Sequence, residues 1–182
     1  MNKKSVLIMG AVIFALIAAI ELPHMGTANY RPLVAKMNVS ELSATATEIV
    51  EATVKKDLGT IREVDSVDGE DMVYTRYLLA VKSVLKGSPA KEITVRVAGG
   101  SYLTTQIVAE DQPVFSENQQ TITFLSKPSN WNGDYRVLGG FQGNFAVTGS
   151  EAVQNETGEK FVTTELINQI KSSAQSTKKI VQ

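Results

Sequence analysis

From Val73 to Gly87 the chain reads VYTRYLLAVKSVLKG, and its residue types alternate with the period of an extended chain. Val73, Thr75, Tyr77, Leu79 and Val81 fall on one side, and Tyr74, Arg76, Leu78, Ala80 and Lys82 on the other. The first set is rich in β-branched side chains and is the expected core face of one long strand. Val84-Leu85 breaks the alternation, which predicts a bulge or strong coiling near Ser83. Lys86-Gly87-Ser88-Pro89 then stops the strand.

The same period marks shorter elements on either side. Thr47 to Lys55 reads as a first strand with Val50, Ala52 and Val54 inward, and Leu58 to Val67 extends it or pairs with it. Asp68-Gly69 is the best hairpin signal in the chain. Ile93, Val95 and Val97 alternate with polar and small residues in a half-buried strand that ends at Gly99-Gly100. Ser101 to Glu110 is a weaker strand or a wide loop, and Thr121 to Leu125 a short strand with Ile122 and Phe124 on one face. Asp134 to Leu138 and Asn144 to Thr148 flank Gly139-Gly140-Phe141-Gln142-Gly143, where the glycines predict positive φ or close backbone approach. A terminal hairpin turns at Asn155 to Gly158. Thr163 or Thr164 then caps a helix to about Ser173, with Leu166, Ile167 and Ile170 as its apolar stripe. The class is therefore mainly β with one C-terminal helix. The coiled long strand and the glycine corners favour a small barrel, with a β-sandwich as the alternative.

The start of the chain breaks this pattern. Asn2-Lys3-Lys4 is followed by an unbroken apolar and small run from Ser5 to Ile20, closed by Glu21-Leu22-Pro23, which reads as an export signal. Gly26-Thr27-Ala28 favours cleavage after Ala28, so that residues 1–28 are a signal peptide and the mature chain begins at Asn29. An uncleaved membrane anchor is the alternative, though the run is slightly short of the about 20 residues that cross a bilayer. Residues 29–46 lack a clear period and are expected to form a stem, with a short helical turn around Ser40 to Leu42. Residues 47–175 form the β domain with its helix, and 176–182 a polar tail.

Composition narrows the chemistry. The net charge is -1 and the pI about 5.9, so nothing favours nucleic acid, whose binding needs clustered Lys and Arg. There is no cysteine among the 182 residues, which excludes disulfides and a lipid-modified cysteine. That suits a secreted or extracytoplasmic protein of a bacterial or archaeal envelope.

TEIVEATVK, VYTRYLLAVKSVLKG, ITVRVAGG, QPVFSENQQTITFL and YRVLGGFQGNFAV, taken in order, resemble a widespread group of uncharacterised exported prokaryotic proteins. The likeness covers about Thr47 to Val147. The chain departs from the group at Phe115-Ser116-Glu117-Asn118, where a Gly-Glu pair is usual. The same order is more distantly similar to the netrin-type module of tissue inhibitors of metalloproteinases. That resemblance implies an OB-like barrel, but those inhibitors act through an N-terminal cysteine that this chain lacks, so no inhibitory residue carries over.

The one histidine, His24, lies in the segment expected to be removed, so the mature domain has no residues for a Ser-His-Asp triad, a Cys nucleophile or an ordinary zinc site. No cofactor is expected. Ser83 with Lys86 is a nucleophile-base pair only formally, a solvated turn lysine being the plainer reading. Asp65, Asp68, Glu70 and Asp71 supply the hard oxygen ligands of calcium without the usual spacing, so a solvated hairpin turn is favoured. Tyr102, Leu103, Trp131 and Phe141 lie in or beside loops, where aromatic and apolar residues anchor partners. The leading expectation is a non-enzymatic exported domain binding an envelope or secreted protein through these loops. Its alternatives are an inhibitor or accessory of a secreted protease and a self-assembling envelope protein. Contact with a membrane is expected only through the N-terminal segment.

Overall fold

The computed structural model describes residues 26–30, 35–64, 71–155 and 157–180, and within them the chain is mainly β with a long C-terminal helix. The expected N-terminal hydrophobic helix lies outside the described residues. No helix among the described residues is long and apolar enough to cross a membrane.

The long patterned stretch is one arm of a hairpin. β2 (Glu48–Val64) pairs antiparallel with β3 (Asp71–Lys86) from Ile49↔Lys86 to Val64↔Asp71, so Leu58 to Val64 extends the first strand. The ribbon is coiled by register shifts. One separates Glu51↔Ser83 from Ala52↔Val81 and leaves Lys82 unpaired, the bulge expected near Ser83. Another places Leu58 and Gly59 opposite Arg76, where Gly59 adopts φ 81 and its N–H donates to Asp57 Oδ1 at 2.7 Å. Coiling also explains why the expected core face is only partly one face. Val73 and Leu79 are buried, but they join different apolar clusters, and Tyr77 and Val81 are half-covered.

β7 (Gln120–Ser126) pairs along one edge with β2, and its other edge is divided. Gln120 to Thr123 meet β9 (Asn144–Thr148), while Leu125 and Ser126 meet β8 (Tyr135–Val137). β8 also runs parallel to β4 (Glu92–Ala98), which is paired with β3. Beyond β9, β10 (Glu151–Gln154) and β11 (Lys160–Val162) continue the sheet as the expected terminal hairpin. Ser101 to Glu110 resolves into a hairpin instead of a wide loop: β5 (Gly100–Tyr102) turns through Leu103-Thr104 into β6 (Thr105–Ala109). β6 also pairs parallel with β1 (Gly26–Tyr30), a strand that a cut after Ala28 would divide.

Two apolar clusters lie on opposite sides of β2 and β7. Val50, Ala52 and Val54 point to the side of Leu79, Ile93, Val95, Val97 and Leu125, as the alternation predicts. Ile49, Ile122, Phe124 and Phe145 point the other way, against the helices.

The expected stem is part of this second cluster. α1 (Val39–Thr45) is closed by a capping box, in which Asn38 Oδ1 accepts from Glu41 N at 3.0 Å and Glu41 Oε2 accepts from Asn38 N at 2.8 Å. Val39, Leu42 and Ala46 are buried against Leu166 and Ile170 of α2 (Thr163–Ile180). Seven residues are too few for a helical period to stand out, which is why the segment looked patternless. The stripe expected on α2 is correct, with Leu166 and Ile170 fully buried and Ile167 packed beside them. The helix runs past Ser173 to Ile180, into the expected tail.

Candidate functional site

Strand register gathers the chemistry that the linear sequence disperses. Arg76 on β3 stands opposite Arg96 on β4, and Arg96 stands opposite Arg136 on β8. Like charges at adjacent register positions repel, so such a row needs carboxylates. Asp134, just before β8, supplies one: its Oδ2 lies 2.6 Å from Arg96 Nε and 3.1 Å from Arg76 Nε. Glu63 near the end of β2 supplies another, with Oε1 2.6 Å from Arg96 Nη1, an ion pair by distance whose N–H is out of line for a hydrogen bond.

Arg96 is only 6% exposed. Burial works against its charge, but the hydrogen bond of Asp134 and the adjacent carboxylate of Glu63 outweigh that and hold its pKa above the ordinary guanidinium value. It remains charged at any practical pH. Its Nη2 donates to the Trp131 carbonyl at 3.2 Å, and its guanidinium carbon lies 5.1 Å from the centre of the Trp131 ring, a cation–π contact. Tyr74 meets the same indole edge-on, with ring centres 5.1 Å apart. Arg136 is exposed, and its Nε donates to Ser126 Oγ at 2.8 Å. Arg96, Arg136, Tyr74, Trp131, Tyr30 and Gln112 line a cavity of about 340 Å³.

The loop residues expected to anchor a partner are not all in one place. Trp131 is half-buried and folds onto Arg96 at the first cavity. Phe141 sits in a 3₁₀ turn at Gly140–Gly143 and lines a second cavity of about 840 Å³ with Phe161, Gln154 and Lys36. The two cavities share Met37. Tyr102 packs on Met72, Val73 and Ile107, under the β5–β6 hairpin, and Leu103 stands at the hairpin tip, 84% exposed and at φ 51. Neither Tyr102 nor Leu103 lines either cavity.

The glycine corner behaves as its composition predicts. Gly140 has φ 60, and a Cβ there would fall 2.0 Å from the Asp111 carbonyl oxygen, which accepts from Phe141 N at 3.0 Å. Gln142, in the same turn, is buried and pins the segment before α1: Oε1 accepts from Met37 N at 2.8 Å and Nε2 donates to Ala35 O at 3.0 Å. Nothing in the linear sequence marks that role.

Asp65, Asp68 and Glu70 lie outside the described residues. Asp71 is engaged by Arg62, whose Nε donates to Asp71 Oδ1 at 3.1 Å and whose Nη2 reaches the other oxygen. Among the described residues no group of three or more His, Cys, Asp or Glu is placed to hold a metal. Lys86 is not a solvated turn lysine: its Nζ donates to the carbonyls of Ser43 at 2.8 Å and Ala44 at 2.9 Å. No protein-family model matches the chain, and none of the curated proteins matches it.

Proposed function

We propose that the chain is an exported, non-enzymatic β domain that binds a protein of the cell envelope or the secreted fraction through its loops. The observation that carries the reading is Leu103. An apolar side chain at 84% exposure gains nothing from burial. The positive φ of 51 adds a backbone cost of about 1–2 kcal/mol for a residue with a Cβ. Both costs are offset when a partner covers the hairpin tip, and Val108 on β6 adds further exposed apolar surface to the same hairpin.

The scaffold in this reading is a small OB-like barrel. Its support is the succession of pairings β7, β2, β3, β4, β8 and back to β7, five strands as in the Greek-key barrel of the OB type. Export rests on the basic start and apolar run of residues 2–20, and the absence of enzymatic chemistry on a chain with one histidine and no cysteine. The test is affinity capture by the full chain from the host envelope and culture medium, run in parallel with Leu103→Asn. A protein retained by the wild type and lost from the variant is the expected result. Identical retention by both chains removes the hairpin from the function.

A further inference from the structure

Among the described residues the arginine row leaves one guanidinium without a carboxylate, and that guanidinium lines a cavity. Arg76 and Arg96 share Asp134, and Arg96 also has Glu63, so three positive charges meet two negative ones. Among the described residues Arg136 has no ion-pair partner. Among those residues its one side-chain hydrogen bond uses Nε, on Ser126 Oγ. The two terminal nitrogens, which form the fork that grips a carboxylate, take no protein acceptor among those residues.

The cavity beside it has the makings of a small-molecule site. Its volume of about 340 Å³ falls at the low end of the roughly 300–1,000 Å³ typical of such sites. Its walls combine aromatic faces from Tyr30, Tyr74 and Trp131, apolar Met37 and Met72, and the polar groups of Arg96, Arg136 and Gln112. Trp131 is held in place by the Arg96 guanidinium and the Tyr74 ring, so this wall is preorganised before any ligand arrives.

We propose that this cavity binds a small monocarboxylate with an aromatic or apolar body, the carboxylate on Arg136 and the body against Tyr74 and Trp131. One negative charge balances the row. A neutral ligand leaves Arg136 unmatched, and a dianion adds a charge for which the row has no counterpart. This inference goes beyond the protein-binding reading and stands without it, since Leu103 lines no part of the cavity.

Trp131 is the only tryptophan in the chain, so its emission reports on the cavity directly. Full-length protein is titrated with sodium benzoate, and separately with benzamide, its neutral counterpart, at constant ionic strength. A saturable change in emission with benzoate, absent or much weaker with benzamide, is the expected result. Arg136→Gln weakens benzoate binding by about tenfold or more, the worth of a hydrogen bond to a charged group. Arg136→Lys, which keeps the charge without the fork, falls between the two. Circular dichroism establishes that each variant is folded, and the comparison of the two probes on wild-type protein decides the matter if Arg136→Gln is not. Equal responses to both probes, no saturable response to either, or wild-type affinity in Arg136→Gln overturns the assignment.

Discussion

The ammonium of Lys86 at the end of β3 lies 2.8 Å from the carbonyl oxygen of Ser43 in the last turn of α1. α1 has no basic residue of its own in that turn, so the hairpin supplies the cation that its unpaired carbonyls favour. Burial pushes the Lys86 amine below its ordinary 10.5, but the two carbonyls at 2.8 and 2.9 Å take its donors. Lys86→Ala is expected to cost about 1–2 kcal/mol in urea unfolding. Lys82→Ala, at an exposed position of the same strand, should stay within about 0.5 kcal/mol.

Asp134 holds two guanidiniums, one of them buried. Asp134→Ala leaves Arg96 with the partial compensation of Glu63 and is expected to destabilise by about 3 kcal/mol or more. Glu151→Ala breaks only the exposed pair with Lys160 and should cost less than about 1 kcal/mol. Comparable losses in the two variants, measured by chemical denaturation, would contradict the place given to Asp134.

Gly140 and Gly149 share a φ of 60 and differ in surroundings. A Cβ at Gly149 meets nothing within 4 Å, so Gly149→Ala carries the conformational cost alone, about 1–2 kcal/mol. At Gly140 the Cβ collides with the Asp111 carbonyl, so Gly140→Ala must also displace the Phe141–Asp111 hydrogen bond. Thermal unfolding should show the larger loss for Gly140→Ala, by at least about 1 kcal/mol.

Arg62 hydrogen-bonds the Asp71 carboxylate where the β2–β3 pairing ends at Val64↔Asp71 and holds it below its ordinary 3.8. A depressed carboxyl contributes fully above its unfolded value and loses that contribution as the pH falls through the folded one. The pair is therefore intact above pH 3.8 and released only below it. An NMR titration of the Asp71 carboxyl should find its midpoint below 3.8 in the wild type, moving up towards that value in Arg62→Gln. A wild-type midpoint at or above 3.8 would count against the pair.

Leu103 offers the opposite sign of stability change. Asparagine tolerates a positive φ better than leucine and removes the exposed apolar side chain. Leu103→Asn is therefore expected to unfold at a temperature equal to or above that of the wild type while losing partner capture. A clear destabilisation would mean that Leu103 packs within the chain.

The local pattern carried much of the fold. Alternation from Val73 to Val81 marked a long strand, the break at Val84-Leu85 marked its bulge, and Leu166 and Ile170 marked the buried face of the last helix. These features depend on residues close in sequence, whose periodicity and turn chemistry act before any tertiary contact. Three glycines at 139, 140 and 143 likewise announced a corner that other residues would not fit.

What the tertiary structure alone decided is which of these elements meet. Val39 and Leu42 looked like a stem because a helix of two turns shows its apolar face only once Leu166 and Ile170 cover it. Arg76, Arg96 and Arg136 are unremarkable in sequence, each an exposed-type residue in an alternating strand. Antiparallel register between β3 and β4 and parallel register between β4 and β8 place them side by side, and Asp134 and Trp131 close over them. Alternation reveals which face of a strand a residue occupies, but register depends on hydrogen bonds between strands distant in the chain, and that is why the arginine row and its cavity had no signature in the sequence.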